Sequence, residues 1–181
     1  AGDAAEITLV SHEPIRVLAR PRLIEYAGGH IPLEELETKS AEWADEQKLD
    51  VRLECEVAGL DPDERRVRLA GGETLDYDRL LVAIGIAPRP VPFAGADVEG
   101  VFNMHYEPEA RRVREAAARS ERAVVVGGGL LGQDMTGSFA TAGLEVTTLV
   151  RESHVGVPQF DPHSGEVLAR ELRGLGADVR L

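Results

Sequence analysis

The nonapeptide Val124-Val125-Val126-Gly127-Gly128-Gly129-Leu130-Leu131-Gly132 constrains this chain more than any other stretch. Three valines run straight into Gly-x-Gly-x-x-Gly, and a helix-forming segment follows to about Ala142, where Gly143 supplies a stop. Each glycine has its own physical task. Gly127 permits a tight turn, Gly129 lets a pyrophosphate approach the backbone, and Gly132 lets the helix lie close to the strand. The phosphates then meet unpaired N–H groups and the positive end of a helix dipole. A second strand, Glu145–Val150, ends 18 residues past Gly132 and completes a right-handed βαβ unit. The turn therefore predicts a nucleotide site at Gly127, Gly128, Gly129, Leu130, Leu131 and Gly132.

The end of that second strand bears on which nucleotide. An acidic residue there accepts hydrogen bonds from the ribose 2′-OH of NAD, whereas an Arg accommodates the 2′-phosphate of NADP. The chain reads Val150, Arg151, then Glu152. Arg151 favours NADPH slightly; the alternative is a solvated Arg paired with Glu152.

Around this unit, Glu107–Arg119 is expected as a helix, Ala123–Val126 as a continuous apolar strand buried in a parallel sheet, Asp161–Gly174 as a helix and Ala177–Leu181 as a strand. The first half is less regular. Glu6–Val10 reads as a short strand and residues 15–32 as irregular. Leu33–Lys48 has helical spacing, with Trp43 as its anchor on the core and Glu34, Glu35 and Glu37 on a solvated face. A strand at Asp50–Leu60 would bury Val51, Leu53, Cys55 and Val57. Arg65–Ala70 would return after the turn at Asp61–Glu64, Gly71-Gly72 would turn the chain again, and a further strand is expected at Arg79–Ile84. The proline-rich stretch Pro88–Pro92 is the candidate boundary between domains at 1–92 and 93–181.

Composition narrows the function classes. The net charge of −12 disfavours sequence-independent nucleic-acid binding, which needs clustered Lys and Arg to displace counterions. No apolar run approaches the roughly 20 residues of a membrane span. Residues Ala1–Glu6 lack the basic-then-apolar order of a signal peptide, so a cytoplasmic location is expected. The single Cys55 precludes an intrachain disulfide and a Cys-x-x-Cys redox pair. His12, His30, His105, His154 and His163 show neither i, i+4 pairing nor Cys company, so no metal site is expected. Gly137-Ser138 falls mid-helix and reads as close packing, not as a hydrolase elbow.

Leu80–Pro90, Phe93–Val101 and Gly127–Gly132, together with the pieces Ile7-Thr8-Leu9-Val10-Ser11, Glu13-Pro14, Arg20-Pro21, Ala41-Glu42-Trp43 and Tyr77-Asp78-Arg79-Leu80-Leu81 in this order, resemble the pyridine nucleotide-disulfide oxidoreductase superfamily, in its ferredoxin-reductase and nitrite-reductase-like FAD branch. The resemblance covers essentially the whole chain. It implies an α/β protein in which a Rossmann-like NAD(P)-binding βαβ domain is joined to an incomplete FAD-binding domain with a small antiparallel β-meander. It places Asp134, where the family usually has Glu, with the glycine turn in the NAD(P)H site. It implies FAD contacts near Glu13 or Ser11, at Arg20 and Pro21, at the backbone of Val57, and at Ala83, Ile84 and Gly85. Ile84 replaces the usual threonine and loses its hydroxyl. The redox-cysteine branch is disfavoured, because residues 15–22 hold no cysteine. The FAD-binding glycine turn of the family would lie before Ala1, so the resemblance implies an internal piece of a longer enzyme.

The implied activity is that of an FAD-dependent NAD(P)H oxidoreductase: hydride passes from NAD(P)H to flavin and electrons go on to an acceptor protein or companion subunit. The cofactors carry such chemistry, so no catalytic acid or base is assigned. The competing expectation is a non-catalytic nucleotide-binding or structural subunit that has lost flavin.

Overall fold

A computed structural model describes residues 5–88 and 93–181. Residues 89–92, within the expected boundary, lie outside the described residues. The chain divides into two compact units. One comprises the described residues up to Arg20 together with Glu34–Pro88; the other comprises Pro21–Leu33 and the described residues from Phe93 onward. Parallel and antiparallel sheets and helices are all present, in agreement with the expected mixed α/β class.

In the first unit, β1 (Ile7–Val10) runs parallel to β2 (Leu49–Arg52), with Ile7 opposite Leu49 and Val10 opposite Arg52. Strands β3 (Val57–Asp61), β4 (Arg66–Leu69) and β5 (Thr74–Asp76) form an antiparallel meander with a bulge between Val57 and Gly59. The Asp61 carboxylate accepts the N–H groups of Asp63 and Glu64 at 3.1 and 2.9 Å, which fixes the first turn. Gly72, at φ 89°, supplies the left-handed residue of the second.

Several expectations for this half are corrected. The helix over Leu33–Lys48 is broken. A 3-10 turn at Leu33–Leu36 is followed by α2 (Ala41–Glu46), after a five-residue α1 (Leu23–Ala27) in the stretch expected to be irregular. Between the 3-10 turn and α2 the backbone pairs elsewhere, Ala19 N–H donating to the Leu36 carbonyl and Thr38 N–H to that of Val17. Ser40 then restarts the helix by accepting the Trp43 N–H at 3.3 Å. Buried Ala44 seats α2; Trp43 is half-buried, with Lys39 5.1 Å over its ring.

The single strand over Asp50–Leu60 is two strands belonging to different sheets. At their junction Glu54 takes φ 51°, its N–H donating to the Glu13 carbonyl while Cys55 N–H donates to that of Ser11. The alternation is thereby lost: Cys55 is half-buried and Val57 exposed. Residues 79–84 form no strand. Leu81 and Ile84 are 87 % and 81 % exposed, since an apolar run becomes a buried strand only where neighbouring strands flank it.

The second unit carries the cleaner pattern. Helix α3 (Glu107–Ala117) opens with a capping box, the Glu109 carboxylate accepting the N–H groups of His105 and Tyr106 at 2.8 and 2.7 Å. Strands β6 (Arg122–Val126), β7 (Glu145–Leu149) and β8 (Asp178–Arg180) form a parallel sheet in the order β6-β7-β8. Between β6 and β7 runs α4 (Leu130–Thr141), stopped by Gly143 at φ 92°; α5 (Pro162–Gly174) leads to β8. Asp161 caps α5 by accepting the Ser164 N–H at 2.7 Å, a bond that holds its carboxyl below the usual carboxylate range.

Val125, Val146, Thr148 and Val179 fill one face of this sheet, with Met135, Thr136 and Phe139 of α4 also buried. The Thr136 and Thr148 hydroxyls pair at 2.7 Å and Thr136 also bonds the Gly132 carbonyl, so these buried polar groups are satisfied. The expectation of an apolar β6 buried throughout is corrected: Val124 is 64 % exposed. Ser138 of α4 donates to the Ile24 carbonyl of α1 at 3.1 Å, so Gly137-Ser138 does lie at a close approach.

Candidate functional site

The glycine turn sits where β6 ends and α4 begins. Gly127 N–H donates to the Leu149 carbonyl at 2.8 Å, which extends the β6–β7 ladder one residue into the turn. Gly127 then adopts φ 120°, a conformation that L side chains rarely take. Gly129 is the N-cap of α4 with φ −73° and ψ −178°, and it caps the helix without any side chain.

The three motif glycines face different surroundings. A Cβ on Gly132 would lie 2.0 Å from the Gly127 carbonyl oxygen, so this glycine permits the close approach of helix and turn. A Cβ on Gly129 would meet nothing within 4 Å, so the backbone there borders open space. Gly128 is walled in, since its Cβ would fall 2.7 Å from the Val150 side chain. The arrangement can offer a polyanion unshielded backbone N–H groups at a helix N-terminus.

The loop after β7 folds back onto the same turn. Val150 N–H donates to the Arg180 carbonyl at 2.8 Å, and Gly156 N–H donates to the Gly128 carbonyl at 2.6 Å. Gly156 has φ 84°, and a Cβ there would strike the Phe160 ring at 2.2 Å. Sequence reasoning missed Gly156; its only signal is a glycine between two valines. Within this loop Arg151 is exposed and bonds Glu152 at 2.8 Å. Arg151 in turn draws the Glu152 carboxyl below its ordinary range. Leu130, Leu131 and Asp134 are exposed on the first turns of α4, and partial desolvation pushes the Asp134 carboxyl upward.

On the flavin side, Glu13 and Arg20 are brought together. Glu13 is only 5 % exposed and its Oε1 accepts from the Arg20 guanidinium. Ser11 Oγ accepts the Glu13 N–H at 3.2 Å. The second carboxylate oxygen, Glu13 Oε2, is buried and has no hydrogen-bond partner among the described residues. Such an oxygen is costly unless a donor reaches it, and a ribose hydroxyl is a donor of the right kind. Pro21 lies in the 3-10 turn Arg20–Arg22 that precedes α1, and Val57 opens β3. Ala83, Ile84 and Gly85 lie exposed outside any strand, Gly85 at φ 69°. The residues present fit an adenine dinucleotide at the glycine turn and a hydroxyl-bearing ligand at Glu13.

The chain is 27% identical over 171 residues to the assimilatory nitrate reductase electron transfer subunit of Bacillus subtilis, covering 94% of this chain and 22% of that protein. It is 28% identical over 179 residues to the nitrite reductase (NADH) large subunit of Escherichia coli, covering 98% of this chain and 21% of that one. The chain thus spans about a fifth of the length of these curated relatives. Among solved structures, the NAD-dependent persulfide reductase from A. fulgidus superimposes with a TM-score of 0.89 at 26% identity, over 99% of this chain and 35% of that one. The family description for pyridine nucleotide-disulphide oxidoreductases matches residues 1–181, and the chain belongs to that family.

Proposed function

We propose that the chain is part of an FAD-dependent NAD(P)H oxidoreductase, in which residues 127–132 hold the pyrophosphate of the pyridine nucleotide and Glu13 with Arg20 contributes to the flavin site. The observation that carries this reading is the turn itself: Gly132 admits no side chain, while the backbone at Gly129 faces open space. Bound flavin would take up hydride from the nicotinamide and release electrons to an acceptor. This chain's own share is binding and orientation. The N–H groups of the first turn of α4 would meet the pyrophosphate, and Asp134, on the same helix, would belong to the same NAD(P)H site. Glu13 Oε2 would accept from a ribose hydroxyl while Arg20 holds Oε1. Pro21, the Val57 backbone and Ala83–Gly85 are the further proposed flavin contacts, and residues 1–92 and 93–181 the corresponding domains.

NADPH is the finer proposal for the nucleotide, supported by the exposed guanidinium of Arg151 just past Val150. The relatives named as reductases favour the enzyme over a non-catalytic subunit. Their names also support a companion protein as electron acceptor.

The reading is tested on the full-length protein with its natural flanks, which is expected to be yellow with a flavin spectrum that NAD(P)H bleaches. Gly129→Val is expected to weaken NAD(P)H binding at least about 100-fold, because the side chain occupies the space a pyrophosphate needs. Backbone angles of −73° and −178° suit valine and its Cβ meets nothing, so the fold should survive with only the loss of about 1 kcal/mol that an apolar N-cap costs. Titration by flavin fluorescence checks this; unchanged affinity would remove the nucleotide from this turn.

A further inference from the structure

Three consecutive glycines, Gly127–Gly129, leave the turn with more backbone freedom than any other residues would. A cradle of backbone N–H groups binds an anion well only if those groups are held in place beforehand. The turn therefore needs struts from outside the motif. One is the bond from Gly127 N–H to the Leu149 carbonyl. A second is Gly156, whose N–H donates to the Gly128 carbonyl at 2.6 Å. The peptide joining Gly128 to Gly129 is planar, so with its carbonyl on Gly156 its N–H is turned away from the loop.

Gly156 is itself held by the loop that carries it. Its carbonyl accepts the N–H groups of Gln159 and Phe160 at 2.8 and 3.0 Å. The His154 ring closes the same loop, with Nε2 2.9 Å from the Phe160 carbonyl and Nδ1 3.0 Å from Ser153 Oγ. A carbonyl only accepts, so Nε2 is the donor of the first bond. Underneath, α5 makes room for this loop. A Cβ on Gly165 would lie 2.5 Å from His154 Cδ2 and 2.6 Å from the Val155 oxygen. The loop is thus braced on α5 and presents one N–H to the glycine turn.

We propose that His154 is a positioning residue for nucleotide binding: by closing residues 154–160 it fixes the Gly156 N–H, and through Gly128 it holds the glycine turn in the shape that receives a diphosphate. The inference rests on the reading of Gly127–Gly132 as a pyridine-nucleotide site. It goes further in placing part of the binding strength in a side chain that acts only through the backbone. Without the strut the three glycines sample other shapes, and affinity falls with the fraction of molecules that keep the competent one. The loss belongs to the phosphate part of a ligand, because the backbone cradle is what loosens.

The experiment uses the full-length protein and two redox-inert probes, 5′-ADP and adenosine, with dissociation constants measured by calorimetry. His154→Leu keeps apolar bulk and removes both ring bonds. It is expected to weaken 5′-ADP about 3–10-fold, the scale of one neutral hydrogen bond, while leaving adenosine nearly unchanged. His154→Gln, whose amide nitrogen can donate to the Phe160 carbonyl in place of Nε2, should recover most of that loss. Gly165→Ala should weaken 5′-ADP by a similar factor, although alanine normally favours a helix and this residue lies within α5, outside the turn. Backbone amides of 127–131 should exchange faster in His154→Leu and slow again when 5′-ADP is added, with those of β7 unchanged. Unchanged 5′-ADP affinity in either His154→Leu or Gly165→Ala, equal losses for both probes, or no recovery with glutamine would overturn the positioning role while leaving the nucleotide site intact. If 5′-ADP does not bind the unsubstituted protein, the nucleotide reading fails and this inference falls with it.

Discussion

Gly132→Ala is expected to unfold the glycine turn, at a cost of about 3 kcal/mol or more, and to abolish nucleotide binding with it. The sign is the opposite of what helix propensity dictates. Gly132 lies in the first turn of α4, and within a helix alanine is normally about 1 kcal/mol better than glycine. Here the added Cβ would sit 2.0 Å from the Gly127 oxygen and 2.9 Å from its carbonyl carbon. Those atoms are backbone. They cannot rotate away as a side chain would, because Gly127 is held to Leu149 by a 2.8 Å hydrogen bond. Relief requires α4 to withdraw from the turn, which also disturbs the Thr136–Thr148 contact behind it.

Gly137→Ala is the control within the same helix. Its Cβ would meet Leu175 and Leu172 at 3.9 and 4.0 Å, ordinary van der Waals contact, so this substitution should stabilise by up to about 1 kcal/mol. Urea unfolding of the two variants separates steric exclusion from propensity. Equal stabilities for Gly132→Ala and Gly137→Ala would mean that the helix does not need its close seat on the turn.

The contrast between the two halves explains what was legible in the sequence. In the βαβ unit every local signal agrees: valines before the turn, glycines at the positions that need them, Gly143 as the stop and Asp161 as the cap of α5. These elements appear within a residue or two of their expected bounds. In the first half the signals conflict. Leu33–Lys48 has helical spacing, but the backbone at 36–38 finds partners in Val17–Ala19, a tertiary pairing that no periodicity reports. Asp50–Leu60 alternates like one strand, yet Glu54 turns out of extended geometry to bond Glu13. The candidate site divides in the same way. Gly127–Gly132 and Arg151 follow from spacing, whereas the burial of Glu13 and the return of Gly156 to Gly128 depend on contacts between segments. A residue pattern records which face is apolar; it does not record which distant carbonyl a side chain will reach.

Arg114→Met is the sharpest case of such an unrecorded contact, with an expected loss of about 2–4 kcal/mol. In the sequence Arg114 is one more charge on an Ala/Arg/Glu-rich helix. In the structure its guanidinium leaves the helix surface, donates to the Tyr26 carbonyl at 2.8 Å and to the Ile31 carbonyl at 2.6 Å, and lies 4.8 Å over the Tyr26 ring. Helix α1 spans five residues, too few to hold together alone. Its carbonyls at Tyr26 and Ile24 are taken up by Arg114 and Ser138, from α3 and α4 respectively. Methionine keeps the apolar bulk of the stem and removes the donors, so carbonyls in a partly buried setting lose their charged partner. Arg114 is itself only half-buried, which keeps the estimate below that for a fully enclosed pair. Both bonds leave one nitrogen, Nη1, so Arg114→Lys should recover part of the loss, limited by its shorter stem and the weaker stacking of an ammonium on Tyr26 and not by the number of its donors. Ser138→Ala, which removes one neutral bond, should cost only about 1 kcal/mol. Hydrogen exchange would locate the effect: amides from Leu23 to Ile31 should lose protection in Arg114→Met while those of β6 and β7 keep theirs. A variant within about 0.5 kcal/mol of the unsubstituted protein, with unchanged exchange over 23–31, would mean that α1 is held by its apolar side chains and not by Arg114.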